Sequence, residues 1–100
     1  METQQEDNFL TFIAEQYDLR IIRNKVQTYL TKEAISVGPT DSGSNSRMVS
    51  YILDNSLVHV FSYREHEAEE LTILEVEVLS DDERTTSALV TRLKQVALSQ

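Results

Sequence analysis

The chain has 100 residues, of which 40% are hydrophobic and 26% are charged, and its formal net charge at pH 7 is −8. This composition is typical of one globular domain over residues 1–100 and excludes intrinsic disorder. The absence of cysteine excludes disulfides, thiolate metal sites and cysteine nucleophiles, and no apolar run reaches the ~18 residues of a membrane span. Because the N-terminus is acidic and polar, unlike a signal peptide, we expect a cytoplasmic protein without membrane attachment.

The charges are unevenly distributed along the chain. Residues 54–83 contain ten of the seventeen carboxylates and one base, Arg64. Residues 20–32 contain no acid and four bases, Arg20, Arg23, Lys25 and Lys32. Clustered Lys and Arg drive phosphate binding, so the acidic balance makes nucleic acid an unfavoured partner. Binding of nucleic acid through Arg20, Arg23 and Lys25 stays as a minor alternative.

Residues 4–17 have the pattern of an amphipathic helix. Thr3 and Glu6 have the spacing of a capping box, in which a hydroxyl and a carboxylate each bond a free backbone amide. Apolar side chains then recur at helical intervals, at Phe9, Phe12, Ile13 and Tyr17. We therefore predict a helix from about residue 4 to residue 17.

Residues 18–35 have two interpretations. As a helix, they carry one apolar stripe, formed by Leu19, Ile22, Val26, Leu30 and Ala34. As a β-hairpin, they turn at residues 23–25, and their β-branched and aromatic content favours this form. The lack of Gly or Pro at that turn favours the helix instead. Periodicity does not separate two such short apolar patterns, and we favour the hairpin.

Residues 36–46 are predicted to form a flexible loop. They contain both glycines and the only proline of the chain, among small polar residues. Gly38 and Gly43 have the spacing of a phosphate-binding loop, but Ser44 and Asn45 stand where that motif needs Lys and then Ser or Thr. We therefore interpret the segment as a turn and not as a nucleotide site.

Three β-strands are predicted after this loop. Residues 47–53 and 57–63 are joined by the turn-forming residues 54–56, and residues 70–79 are rich in β-branched side chains. Short connections between consecutive strands favour an antiparallel meander.

The C-terminal part of the chain is predicted to be a helix. Ser80 and Glu83 match a second capping box, and unbroken helical periodicity follows over residues 81–98. Strands flanked by helices indicate the α+β class. We predict one domain with an antiparallel meander of about three to five strands, and an N-terminal and a C-terminal amphipathic helix on one face of the sheet.

The titratable residues show no pattern of catalytic or metal chemistry. His66 lies between Glu65 and Glu67, but adjacent side chains diverge, and the chain has no recognised ligand spacing. Asp81 and Asp82 stand at a predicted helix start, where acids are favourable for electrostatic reasons alone. No serine has the context of an activated nucleophile. We expect no enzyme activity, no metal and no cofactor.

The best candidate for a functional surface is one face of the sheet. Strand alternation places His59, Phe61 and Tyr63 on one side and Val58, Val60 and Ser62 on the other. The aromatic side is expected to carry six partner-binding residues, His59, Phe61, Tyr63, Ile73, Glu75 and Glu77. The alternative is that the N-terminal helix or a second copy of the chain covers this face as core. A register slip of one residue would exchange the two faces.

The carboxylates suggest a second functional feature. We assign an acidic patch to Glu65, Glu67, Glu69, Glu70, Asp81 and Asp82. Acids arranged on one surface at phosphate-like spacing would act as a mimic of nucleic acid, which gives an alternative function. Our main prediction is a non-enzymatic protein-interaction domain, such as an adaptor, chaperone, inhibitor or accessory subunit, that binds a basic or mixed protein partner or associates with itself.

In general layout, this small acidic chain is similar to the acidic chaperones of secretion systems, which have a helix, a curved sheet and a closing helix. The similarity covers the order of the elements and the acidity. It implies a homodimer that binds an extended client protein.

Overall fold

Five full antiparallel strands form a sheet that is covered on one side by two helices, in a computed structural model that describes residues 4–5 and 8–99. The α+β class and the antiparallel sheet are confirmed. The sheet order is β1-β2-β6-β5-β4-β3, in which β1 is a two-residue strand at one edge. The elements are β1 (Gln4–Gln5), β2 (Phe9–Ile13), α1 (Leu19–Glu33), β3 (Ser36–Ser42), β4 (Ser46–Ile52), β5 (Leu57–Tyr63), β6 (Ile73–Leu79) and α2 (Glu83–Leu98).

The helix predicted over residues 4–17 is wrong, and the helix of the N-terminal half lies at residues 19–33 instead. Residues 9–13 form strand β2, which pairs antiparallel with β6. Leu10 and Phe12 are fully buried, whereas Phe9, Thr11 and Ile13 are only partly covered. The segment therefore has a period of two, and the helical spacing of its aromatic residues is coincidental. The capping box at Thr3 and Glu6 lies outside the described residues.

Residues 19–33 form helix α1, so the favoured hairpin is wrong and the alternative interpretation is correct. Asp18 caps the helix, because its carboxylate accepts hydrogen bonds from the amides of Arg20 (3.2 Å) and Ile21 (3.4 Å). The apolar stripe is buried at Leu19, Ile22, Val26 and Leu30. Burial of this stripe against the sheet outweighs the low helix propensity of its β-branched members.

Most of the predicted loop is an edge strand, β3, and only residues 43–45 connect it to β4. The register shifts between Val37 and Thr40, which marks an irregularity at Gly38 and Pro39. Proline is tolerated there because an edge strand has one side without ladder hydrogen bonds. Composition alone suggested a loop, since a strand exposed along most of its length does not show apolar alternation.

The predictions for the remaining elements are confirmed with small shifts of their ends. Strand β6 begins at Ile73, and the C-terminal helix α2 begins at Glu83. Its cap is Asp82 rather than the predicted Ser80, since the Asp82 carboxylate accepts hydrogen bonds from the Arg84 amide (3.2 Å) and the Thr85 hydroxyl (2.9 Å).

Both helices pack on the same face of the sheet. One continuous core joins this face to α1 and α2, and it contains Leu10, Phe12, Leu30, Val58, Val60, Leu74, Val76, Val78, Val90 and Leu93. The predicted inward side of β5 is correct, because Val58, Val60 and Ser62 are buried. Within the part of the chain that the structure describes, no helix has the length and apolarity needed to cross a membrane.

Candidate protein-binding surface

The sheet has a second face, opposite α1 and α2, which we call the open face. All six predicted partner-binding residues lie on it as three cross-strand pairs, His59 with Glu77, Phe61 with Glu75, and Tyr63 with Ile73. Each of these side chains is partly exposed. The register assumed from the sequence is therefore the register of the structure, and no helix of the described residues covers this face.

Other strands add apolar residues to the open face that the sequence reasoning missed. In β2, Phe9 pairs with Glu77 and Ile13 pairs with Ile73, and in β4, Met48 pairs with Phe61. Burial alternates along Phe9–Ile13 in the structure, but four of these five residues are apolar, so the sequence itself shows no alternation there. The apolar spacing of this segment therefore fitted a helix as well as a strand.

A shallow depression of about 350 Å³ lies at the centre of the open face. Its lining comes from four different strands and consists of Phe9, Met48, His59, Phe61, Glu75 and Glu77. Four of the six predicted binding residues therefore line the same depression. Concave apolar surfaces with a few polar groups are the usual form of binding sites.

Two hydrogen bonds hold polar side chains in place on this face. Ser50 Oγ and His59 Nδ1 are hydrogen-bonded at 2.8 Å. The Thr11 hydroxyl donates to Glu75 Oε2 at 3.4 Å, which orients that carboxylate across the β2–β6 pair. Ordered side chains lose less conformational entropy when they bind a partner.

The open face is negatively charged. Glu75 and Glu77 lie near its centre, and Asp41 lies beside Met48 on the edge strand β3. Among the described strand residues that face this side, none is Lys or Arg. Charge of one sign on a surface attracts partners of the opposite charge and repels others.

The structure does not gather the predicted acidic patch into one surface. Glu65, Glu67, Glu69 and Glu70 lie in the connection between β5 and β6. Asp81 and Asp82 follow β6, so the two groups are at opposite ends of a seven-residue strand, which is about 23 Å long at ~3.3 Å per residue. Asp82 is engaged in capping α2. A continuous row of phosphate-like charges is not formed by these six residues.

Comparison of the chain with protein-family models and with curated proteins found no match in either case. Among residues 4–5 and 8–99, no group of three His, Asp or Glu side chains could hold a metal ion. Functional inference for this protein therefore depends on the shape and charge of its surfaces.

Proposed function

We propose that this protein is a non-enzymatic protein-interaction domain whose open face binds a basic and partly apolar segment of a protein partner. The observation that carries the proposal is the combination of aromatic and aliphatic side chains with carboxylates, and without bases, on a sheet face that α1 and α2 leave uncovered. When an antiparallel sheet leaves one face in water, that face is usually polar. An exposed apolar face with aromatic side chains is instead typical of a binding surface, and its carboxylates select the charge of the partner.

The dimensions of the open face support a protein partner. Five strands about 4.8 Å apart and about 3.3 Å of rise per residue give a plane of about 24 by 23 Å. The side chains that stand on this plane add to its accessible area. The result is of the same order as the ~800 Å² that each partner contributes to a specific interface of standard size. Phe61, at the centre, would be the main apolar anchor, because aromatic residues dominate such contacts.

The charge of the open face favours a basic partner over a second copy of the chain. In a symmetric dimer formed through this face, Glu75 and Glu77 of each copy would approach the carboxylates of the other copy. Like charges brought together and desolvated are unfavourable. A Lys or Arg of a partner would instead pair with these carboxylates, while apolar side chains next to it fill the depression beside Phe61.

The first experiment is affinity capture from native cells at low and moderate salt, with the wild type and two single variants as baits. Phe61→Ser removes the anchor of the open face, and Ile21→Ser makes the same kind of change at an exposed position of α1, on the other side of the molecule. We expect one partner that binds the wild type and Ile21→Ser, is lost with Phe61→Ser, and weakens as salt rises. Circular dichroism must show that Phe61→Ser is folded. A partner that binds Phe61→Ser equally well would contradict the proposal.

The second experiment tests the charge, with the purified partner. Glu75→Gln with Glu77→Gln removes two carboxylates from the open face, whereas Glu65→Gln with Glu67→Gln changes the net charge equally in the β5–β6 connection. We expect the first pair to slow association and to reduce its salt dependence more than the second pair. Equal effects of the two pairs would show that only net charge matters. Sedimentation equilibrium tests whether the protein associates with itself. If the wild type is a dimer and Phe61→Ser is a monomer, the partner of the open face is a second copy of the chain and not a basic protein.

A further inference from the structure

Three arginines come together on the helix side of the sheet, away from the open face. Arg23 of α1 donates from Nη1 to Ser62 Oγ at 3.2 Å. Ser62 is the cross-strand partner of Arg47 in the β4–β5 ladder, so Arg47 stands beside the residue that anchors Arg23. Arg20 lies one helical turn before Arg23 on α1. We call these three residues the arginine cluster.

Among the described residues, the charges that act on Arg23 are those of two other arginines. The pKa of Arg23 is lowered from the usual value, first by partial burial and then by the positive charges of Arg47 and Arg20. Of the nearby acids, Asp18 is engaged with the amides at the start of α1. Glu70 lines a second depression together with Arg20, and Arg23 is not part of that lining. Like charges that lie close together oppose folding, and retention of such a cost is typical of functional sites.

Arg20 and Arg23 line an open depression of about 500 Å³ along α1, together with Asp18, Lys25 and Gln27, and Arg47 lies outside this lining. Two of these side chains are held by the sheet. Arg23 is anchored by Ser62, and Gln27 donates from Nε2 to the hydroxyl of Tyr51 at 3.1 Å. Anchored donors beside an accessible recess are suited to receive an anion. Lys25 is engaged elsewhere, since its ammonium donates to the carbonyl of Ser99 after α2.

We propose that Arg20, Arg23 and Arg47 form a binding site for a phosphate group. The planar fork of a guanidinium matches the oxygens of a phosphate and binds them in a bidentate manner. A phosphate monoester carries a charge of about −1.5 to −2 at pH 7, which balances a cluster of three cations better than one carboxylate does. The net charge of −8 opposes the approach of a long polyanion such as nucleic acid. The ligand is therefore a single phosphate group, supplied by a small molecule or by a phosphorylated side chain.

The site is independent of the open face, because it lies on the opposite side of the sheet. Its test is a two-dimensional NMR titration of the full chain at constant ionic strength. Three probes are used, namely pyrophosphate, a short phosphoserine peptide and the same peptide without phosphate. We expect saturable shifts at Arg23, Arg47 and Ser62 with at least one phosphate probe and none with the unmodified peptide. Preference for pyrophosphate indicates a small-molecule source, and preference for the phosphopeptide indicates a phosphorylated partner.

Variants make the test specific. Arg47→Gln and Arg23→Gln should weaken binding at least tenfold, because each removes charge-assisted hydrogen bonds to the phosphate. Lys32→Gln makes the same change in net charge in the last turn of α1 and should change affinity less than twofold. Arg47 is exposed, so Arg47→Gln is expected to fold even if Arg23→Gln does not. Absence of binding by both phosphate probes, or equal losses with Arg47→Gln and Lys32→Gln, would overturn the proposal.

Discussion

Two neighbouring residues of β6 offer the sharpest test of which side of the sheet is core. Leu74 is fully buried under the helices, whereas Ile73 lies on the open face and is only partly covered. Replacement of a fully buried Leu by Ala typically costs about 2–5 kcal/mol, because it removes apolar contacts and leaves a cavity. For Ile73→Ala we expect about 1 kcal/mol, since each fully buried methylene contributes about 0.8 kcal/mol and this side chain is incompletely buried and encloses no cavity.

Urea unfolding, monitored by circular dichroism, measures the free energy of unfolding of each variant. The slope of this free energy against urea concentration is fitted as one value for the wild type and both variants. Thermal unfolding gives a second readout, at about 4–8 °C per kcal/mol for a domain of this size. Leu74→Ala should therefore lower the melting temperature by about 10 °C or more, and Ile73→Ala by about half of that or less. If Leu74→Ala and Ile73→Ala destabilise the protein equally, the open face is packed as core. The proposed function would then be wrong.

Three further predictions concern caps and buried hydrogen bonds. Asp18→Ala should destabilise the protein by about 1 kcal/mol in urea unfolding, because it removes the cap of α1. Tyr51→Phe should cost about 0.5–1.5 kcal/mol in the same assay, since it removes the acceptor for Gln27 from a side chain that is 3% exposed. The Asp82 pKa is lowered in the folded state by hydrogen bonds from the Thr85 hydroxyl and the Arg84 amide. Its contribution to stability is therefore present above the unfolded carboxyl pKa of about 3.9 and is lost as pH falls through the lower folded value. NMR titration of the Asp82 carboxyl carbon should show this low pKa in the wild type and a rise toward the ordinary value in Thr85→Ala.

The parts of the fold that the sequence predicted correctly are those with a strong local pattern. The C-terminal helix has unbroken helical periodicity, and strands β4 and β5 are separated by turn-forming residues. The grouping of His59, Phe61 and Tyr63 with Glu75 and Glu77 also followed from the sequence, because strand alternation and antiparallel pairing fix which side chains share a face.

The errors lie where the local pattern fits two structures. Phe9, Phe12 and Ile13 satisfy helical spacing, yet the segment pairs with β6, which lies far away in sequence. Helix α1 contains β-branched residues that favour strands, but its stripe is buried against the sheet. The Asp18 cap, directly before the first residue of that stripe, was the local signal that favoured the helix.

The sequence by itself determined the class of the protein, the acidity of its surface and the composition of one sheet face, since composition and the period of two are local properties. Only the tertiary structure decided that residues 9–13 join the sheet as β2 and that residues 19–33 form the helix that packs on it beside α2. It also decided that Arg47 joins Arg20 and Arg23, while Lys25 is engaged elsewhere. These outcomes depend on contacts between residues distant in the chain, and their physical cause is the burial of apolar surface from all elements in one core.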